Sequence, residues 1–463
     1  MAWRGSHASA QSCGIGDECA PAVRCSPYDQ VTHFHKCFPM HAALVLLILI
    51  LTYLGMAAGR IAWLQVDRTG IALLAVIALL ATRAMTLDDF GSSVDLPTLA
   101  LLFAMMIISA QFAESGSIDQ CVRTITETRG GTTMLLALTV AIAGGLSAVL
   151  ANDILIVAIA PPLIAGAQRR GLDPRPFAIA LAAATNAGSA ATMIGNPQNL
   201  LLGAIGRLDF WTFLAACGVP ALFALAVVFV VVWAQWHRRM RLEQPAGENI
   251  AALAVTSHVL DRAQTIKGVV AIVALLILFA TPVPREIGAL IIAALLLASR
   301  KITSRTMINS VDWPLLLLVS CLFAITGELN SSGIASEVLA FLDNHHLLPN
   351  NLLVLLPFSI VTSNLIGSIP AAMLLLQIWP NPPPGVLYSL ALLSTLAGNL
   401  LLNGSFTNLL IAERADRMGS PLTFKDFALA GVPIALLSLA FATFWLSFIH
   451  ILPVHMASGP PAP

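Results

Sequence analysis

The stretch 185–199 concentrates polar groups in an otherwise apolar region: Thr185, Asn186, Ser189, Thr192, Gly195, Asn196 and Asn199. Gly195 and Pro197 break any helix running through it, and a broken helix exposes backbone N–H and C=O groups. Those groups, with Asn and Thr side chains, can replace the hydration shell of an ion. A counterpart follows at 394–408, with Asn399, Gly404, Ser405, Thr407 and Asn408. Small-residue packing between helices accounts for the Gly, Ala and Ser content of both stretches, but not for the asparagines. Two shorter polar points flank them. Asn152 and Asp153 sit between apolar blocks with no Lys or Arg within ten residues on either side, and Ser363-Asn364 is followed by Ser368 and Pro370. A carboxylate is costly in hydrocarbon, so Asp153 is expected to face a cavity, an ion or a proton path. Pro370 near a helix start leaves N–H groups free, and such helix tips suit an anion. No Lys or Arg accompanies these motifs, so an anion is expected to be held by dipoles and amides rather than by ion pairing.

Elements able to position these groups must be membrane helices. Of 463 residues, 57% are hydrophobic and 10% charged, with mean hydropathy +0.84 and zero net charge. A soluble domain carries roughly 25% charged residues, so soluble classes are excluded. Apolar blocks run over 41–58, 70–82, 96–112, 132–150, 154–165, 177–192 and 211–233. After a charged loop they resume over 269–280, 287–298, 314–324, 352–361, 366–378, 386–402 and 427–449. They lack strict alternation, so they read as helices. Several are shorter than the roughly 20 residues of a full crossing and read as re-entrant or discontinuous. Whether 132–165 crosses twice or re-enters is left open.

The order of landmarks repeats. Asp95-Leu96-Pro97 and Asp312-Trp313-Pro314 each open an apolar run, and each Asp is followed 21 residues later by a glycine, Gly116 or Gly333. Ala151-Asn152-Asp153 matches Ser363-Asn364-Leu365, and the segment 195–199 matches 404–408. Gly218-Val219-Pro220 recurs as Gly431-Val432-Pro433. These landmarks divide the chain into repeats at 40–235 and 265–455, a linker at 236–264 and a tail at 456–463. Positive stretches at Arg60/Arg68, Arg123/Arg129, Arg169/Arg170/Arg175, Arg238/Arg239/Arg241, Arg300/Lys301/Arg305 and Arg414/Arg417/Lys425 are expected on the cytoplasmic side. The loops 88–95 and 330–351 lack Lys and Arg and are expected outside. That path makes the linker cytoplasmic and the repeats inverted. Residues 1–39, with Cys13, Cys19, Cys25 and Cys37, are expected to be a disordered or non-native extension rather than a metal or disulfide cap. Cys217 and Cys321 read as small hydrophobes and Cys121 as a loop residue. No HExxH, GxSxG or Walker pattern points to an enzyme.

At these motifs the chain resembles the ion transporter superfamily, in its arsenite-permease and citrate-transporter-like branch, which includes a Na+/H+ antiporter family. The resemblance rests on Ala151-Asn152-Asp153 with Pro161, on 185–199, on Ser363-Asn364 with Pro370, and on Gly59-Arg60-Ile61 and Asp67-Arg68-Thr69-Gly70. It implies an all-α polytopic membrane protein of two inverted repeats, each with scaffold helices, a re-entrant helical hairpin and a broken helix. It also implies alternating access, a homodimer, and a multi-pass place in a bacterial cytoplasmic (inner) membrane. Asp153 and Leu365 depart from the threonines of the sodium-coupled dicarboxylate carriers. The leading expectation is a transporter of a small anion or metalloid oxyanion, arsenite-like or carboxylate, coupled to H+ or Na+. No cofactor and no nucleic acid is expected; the partners are the lipid bilayer and a small inorganic or organic ion. Na+ would sit at Asn152, Asn186, Asn364 or Asn399, and Asp153 would carry a proton or pair with a cation. A Na+/H+ antiporter of the same fold and an ion channel are the alternatives.

Overall fold

The computed structural model describes residues 40–58, 66–128, 130–237, 260–279, 281, 283–345 and 347–453. The segment 1–39 with its four cysteines, the Gly59-Arg60-Ile61 motif, Arg129, linker residues 238–259 and the tail 456–463 lie outside these. Among the described residues the chain forms twenty α-helices. The first ten are α1 (Met40–Ala58), α2 (Arg68–Ala81), α3 (Leu87–Ser93), α4 (Leu96–Glu114), α5 (Ser117–Glu127), α6 (Thr132–Ser147), α7 (Asn152–Arg169), α8 (Arg175–Ser189), α9 (Pro197–Ile205) and α10 (Phe210–Trp236). The second ten are α11 (Arg262–Phe279), α12 (Arg285–Leu297), α13 (Ser304–Asn309), α14 (Trp313–Ser331), α15 (Ile334–Asn344), α16 (Leu352–Leu365), α17 (Ser368–Ile378), α18 (Pro384–Ala397), α19 (Phe406–Arg417) and α20 (Phe424–Phe448). Five of them, α4, α10, α11, α14 and α20, are long and apolar enough to cross a membrane.

Helix starts recur because their local chemistry recurs. Both α4 and α14 have 19 residues, an Asp at the N-cap and a Pro in the first turn, where the missing N–H costs no helix bond. Each ends in a reversal through a left-handed glycine, Gly116 (φ 74°) or Gly333 (φ 78°), which needs no Cβ there. An 11-residue helix follows in each case, α5 or α15. The apolar blocks in the sequence do not show these short amphipathic helices, nor α3, α9, α13 and α19, because their turns carry too many polar residues. Cys121 accordingly lies within helix α5 rather than in a loop, and Cys217 and Cys321 are buried.

The two sets of ten helices interlock. Helix α2 packs on α14 and α12 on α4, so each set lends its second helix to the other's fourth. Thr69 donates to the Pro314 carbonyl (3.4 Å) across the first contact, and Gln111 of α4 donates to the Gln264 carbonyl of α11 (3.0 Å). At the centre lie α8 and α18, buried from Pro176 to Ser189 and from Val386 to Ala397. A helix apolar on all sides belongs in an interior, and these two carry the polar stretches inward with them.

Helix α8 reaches α6 at a contact that only glycine allows. A Cβ on Gly188 would run into the backbone of Gly144, whereas a Cβ on Gly145 meets nothing within 4 Å. Gly188→Ala is therefore expected to destabilise the protein by about 1–3 kcal/mol, as overpacking of a fitted core does. Gly145→Ala should leave the melting temperature unchanged or slightly raised; melting the purified variants side by side checks both.

Candidate functional site

A helix broken inside an apolar interior leaves its last carbonyls without partners, each costing about 1–3 kcal/mol if unmet. Both breaks solve this identically. Asn199, in the first turn of α9, donates through Nδ2 to the carbonyls of Ser189 and Thr192 (3.1 Å each). Asn408, in the first turn of α19, donates to those of Gly398 (2.8 Å) and Leu401 (3.1 Å). The spacings are the same, ten and seven residues back. Asn196 completes the first break by capping α9, its Oδ1 accepting from the Asn199 N–H (2.7 Å).

Each break meets the tip of a helical hairpin. In the first, α6 and α7, Asn152 donates to Ser189 Oγ (3.1 Å) and accepts from Ser147 Oγ (2.7 Å), which also reaches the Thr185 carbonyl. Thr192 donates to the Ala148 carbonyl, and Ser109 of α4 accepts from the Ala151 N–H (2.9 Å). In the second, α16 and α17, Asn364 donates to the Ala397 carbonyl (3.1 Å) and to that of Ile360 (2.9 Å). The tips are not equivalent. Asn152 and Asp153 begin α7, whereas Asn364 and Leu365 end α16, because Gly367 (φ 99°) moves the reversal downstream. At this tip Asn364 Oδ1 and Ser363 Oγ, and further back on α16 Ser359 Oγ, are buried without hydrogen-bond partners. The Oδ1 lies against Gly404, where a Cβ would collide with it.

Asn186 ties the breaks together. Its Nδ2 donates to Asn399 Oδ1 (2.9 Å) and Asn408 Oδ1 (3.1 Å), while its Oδ1 accepts from Ser405 Oγ (3.1 Å). Asn399 in turn donates to the Ala183 carbonyl (3.2 Å). Asn196 donates to Thr395 Oγ1 (3.2 Å), and Gln198 to Ser394 Oγ. Of the four asparagines expected to hold Na+, only Asn364 keeps an amide oxygen unpartnered.

Tips and breaks enclose a cavity of about 690 Å³. Asn152, Asp153, Asn186, Asn196, Ser368, Gly404, Ser405 and Thr407 line it. The remaining expected residues, Thr185, Ser189, Thr192, Gly195, Asn199, Ser363, Asn364, Asn399 and Asn408, do not line it. Asp153 and Asp312 also border a second, small apolar cavity beside Met105 and Ile194, and thus stand between the two. Asp312 accepts from the Leu315 N–H (3.0 Å); Asp153 forms no hydrogen bond or ion pair among the described residues. The lining also holds Gln198, Ser394 and Thr395, which lie within the polar stretches, and Arg68, from the N-terminus of α2. Arg68 corrects the expectation that no cation accompanies the motifs. In the sequence it reads as an orientation signal and as part of the Asp67-Arg68-Thr69-Gly70 resemblance, and its distance along the chain hid its place at the cavity.

A family model described as "Citrate transporter" matches residues 44–381. The chain belongs to the citrate transporter family. Along with this family membership, the chain is similar to a 46 kDa membrane protein of Mycobacterium leprae, 24% identical over 88% of this chain and 98% of that protein. It is similar also to the silicon efflux transporter LSI3 of Oryza sativa subsp. japonica, 25% identical over 81% of this chain and 91% of that one. In fold it resembles the solved structure of Neisseria gonorrhoeae MtrF, from a class of antimetabolite efflux pumps. That likeness has a TM-score of 0.57 at 14% identity and covers 94% of this chain and 99% of MtrF. This citrate transporter family member is an integral membrane transporter.

The breaks depend on two amide side chains donating twice each. Asn199→Asp and Asn408→Asp keep the shape but remove the donor, so each should destabilise as much as the corresponding Ala variant, by about 1–3 kcal/mol. Thermal unfolding of the four variants measures this, and an Asp variant as stable as wild type would contradict it.

Proposed function

We propose that the protein is a secondary active transporter that moves a small oxyanion or oxyacid across the membrane, coupled to a cation gradient through Asp153. The observation that carries this reading is the cavity bounded by two hairpin tips and two broken helices, with an unpartnered carboxylate in its wall. Its volume suits a small metabolite or oxyacid, and the citrate of the family's name and the silicon of the rice relative's fall in that class. In this reading the two sets of ten helices are inverted relative to each other, and alternating access moves the cavity between sides. The mycobacterial relative supports a place in a bacterial cytoplasmic membrane. Asp153 takes up the proton: a carboxylate facing a cavity amid apolar helices gains from neutralisation whenever the cavity closes.

A second reading, Na+/H+ exchange, is favoured by one observation. The unpartnered oxygens of Asn364 and Ser363 at the second tip, and of Ser359 further back on α16, are the kind of ligand a hard cation takes.

Reconstitution into liposomes separates the two. Uptake of citrate, arsenite or silicic acid driven by an imposed proton gradient supports the first, and sodium flux driven by protons with no oxyanion present supports the second. Asp153→Asn should abolish dependence on the proton gradient while the protein still melts as wild type does. Retention of the full pH dependence in that variant would remove Asp153 from the coupling. Conduction far faster than carrier turnover would exclude both readings.

A further inference from the structure

We infer that Arg68 is the specificity-determining residue of the cavity, the fixed positive charge that restricts it to ionised oxyanions. The inference rests on the transporter reading above and deepens it by naming the charge state of the substrate.

Three observations converge on Arg68. First, it is the one Lys or Arg side chain lining the cavity among the described residues, and it forms no ion pair among them. Five acids share the lining, Asp67, Asp153, Asp312, Glu413 and Asp416, and three of them have partners of their own. Asp67 accepts from the Gly70 N–H (2.8 Å), Asp312 accepts from that of Leu315, and Glu413 pairs with Arg417 (2.6 Å). Second, the side chain is held in place. Its Nε donates to the Met56 carbonyl (3.3 Å), and Asp67 caps the helix that carries it. The terminal nitrogens form no hydrogen bond among the described residues and remain available as a pair of donors. Third, Nη1 lies 3.1 Å from the place a Cβ on Gly367 would occupy, so the guanidinium rests against the second hairpin tip. Directly after Gly367, α17 begins at Ser368, which also lines the cavity.

A planar guanidinium whose Nη1/Nη2 edge is free matches a carboxylate or inorganic oxyanion bidentately, and the adjacent helix start favours the same charge. Arg68 and Asp153 thus divide the work of one cavity, the guanidinium taking the anion and the carboxylate taking the coupling cation. An uncharged oxyacid gains little from this arrangement, since it leaves the guanidinium without a counter-charge.

The test uses the full-length purified protein and a thermal-shift titration. The charged probes are citrate and succinate for carboxylates, and phosphate and selenite for inorganic oxyanions. Succinamide and silicic acid are the uncharged probes. At least one charged probe should stabilise the wild type, and neither uncharged probe should. Arg68→Gln should weaken the stabilising anion by about tenfold or more, the scale of losing one partner of a buried charge pair. Arg68→Lys, which keeps the charge and loses the fork, should fall between. Stabilisation by uncharged probes alone, no response to any charged probe, or an affinity in Arg68→Gln within about twofold of wild type would each overturn the assignment. The wild-type comparison of succinate with succinamide stands even where a variant fails to fold. Proton-driven flux of silicic acid would leave the transporter reading intact while removing this one.

Discussion

Everything in this protein is arranged around two interruptions of backbone hydrogen bonding in an apolar interior. Helices α8 and α18 are buried on all sides, so the carbonyls freed where they stop have no water to turn to. Asn199 and Asn408 meet that demand from the first turn of the next helix, at identical spacing in each set. An amide is the one short neutral side chain that can donate twice and still accept. The acceptors are then used as well: Asn408 Oδ1 takes a bond from Asn186, and Asn199 Oδ1 one from Thr395 (3.5 Å). The two interruptions therefore hold each other open, and the cavity is the space they cannot fill.

Symmetry ends at the hairpin tips. At the first, Ser147, Asn152 and Ser189 form a chain of hydrogen bonds, whereas the second leaves the oxygens of Asn364 and Ser363 unmatched. The cause is local: Gly367 places the reversal after Asn364, so Asn364 ends one helix instead of beginning the next. Charge follows a similar division. Asp153 is at the first tip, where its counterpart is Leu365, and Arg68 lies against the second.

Interlocking of the scaffold explains how a residue far along the chain reaches the site. Helix α2 packs on α14 instead of on its own set's fourth helix, which brings Arg68 from the first set to the tip belonging to the second. The same exchange sets Asp312, the cap of α14, beside Asp153 at the boundary of both cavities.

Much of this was legible beforehand because it is encoded locally. Asp-x-Pro starts and left-handed glycines act within a few residues, so these landmarks follow from reading along the chain, whereas Gly218-Val219-Pro220 and Gly431-Val432-Pro433 lie within the continuous helices α10 and α20. Asn152, Asn186 and Asn196 stood out because an amide in an apolar run has no local use. Three-dimensional packing decided the rest. It separated residues that line the cavity from those that brace it: Asn199 and Asn196 look alike in sequence, but Asn199 donates to two carbonyls while Asn196 caps α9 and donates to hydroxyls. It also brought in Arg68 and Asp312, whose place at the cavity no local pattern announces. Hydrogen bonds between neighbours in sequence can be inferred from spacing; contacts across a fold are fixed by how helices pack, and no motif within one segment records them.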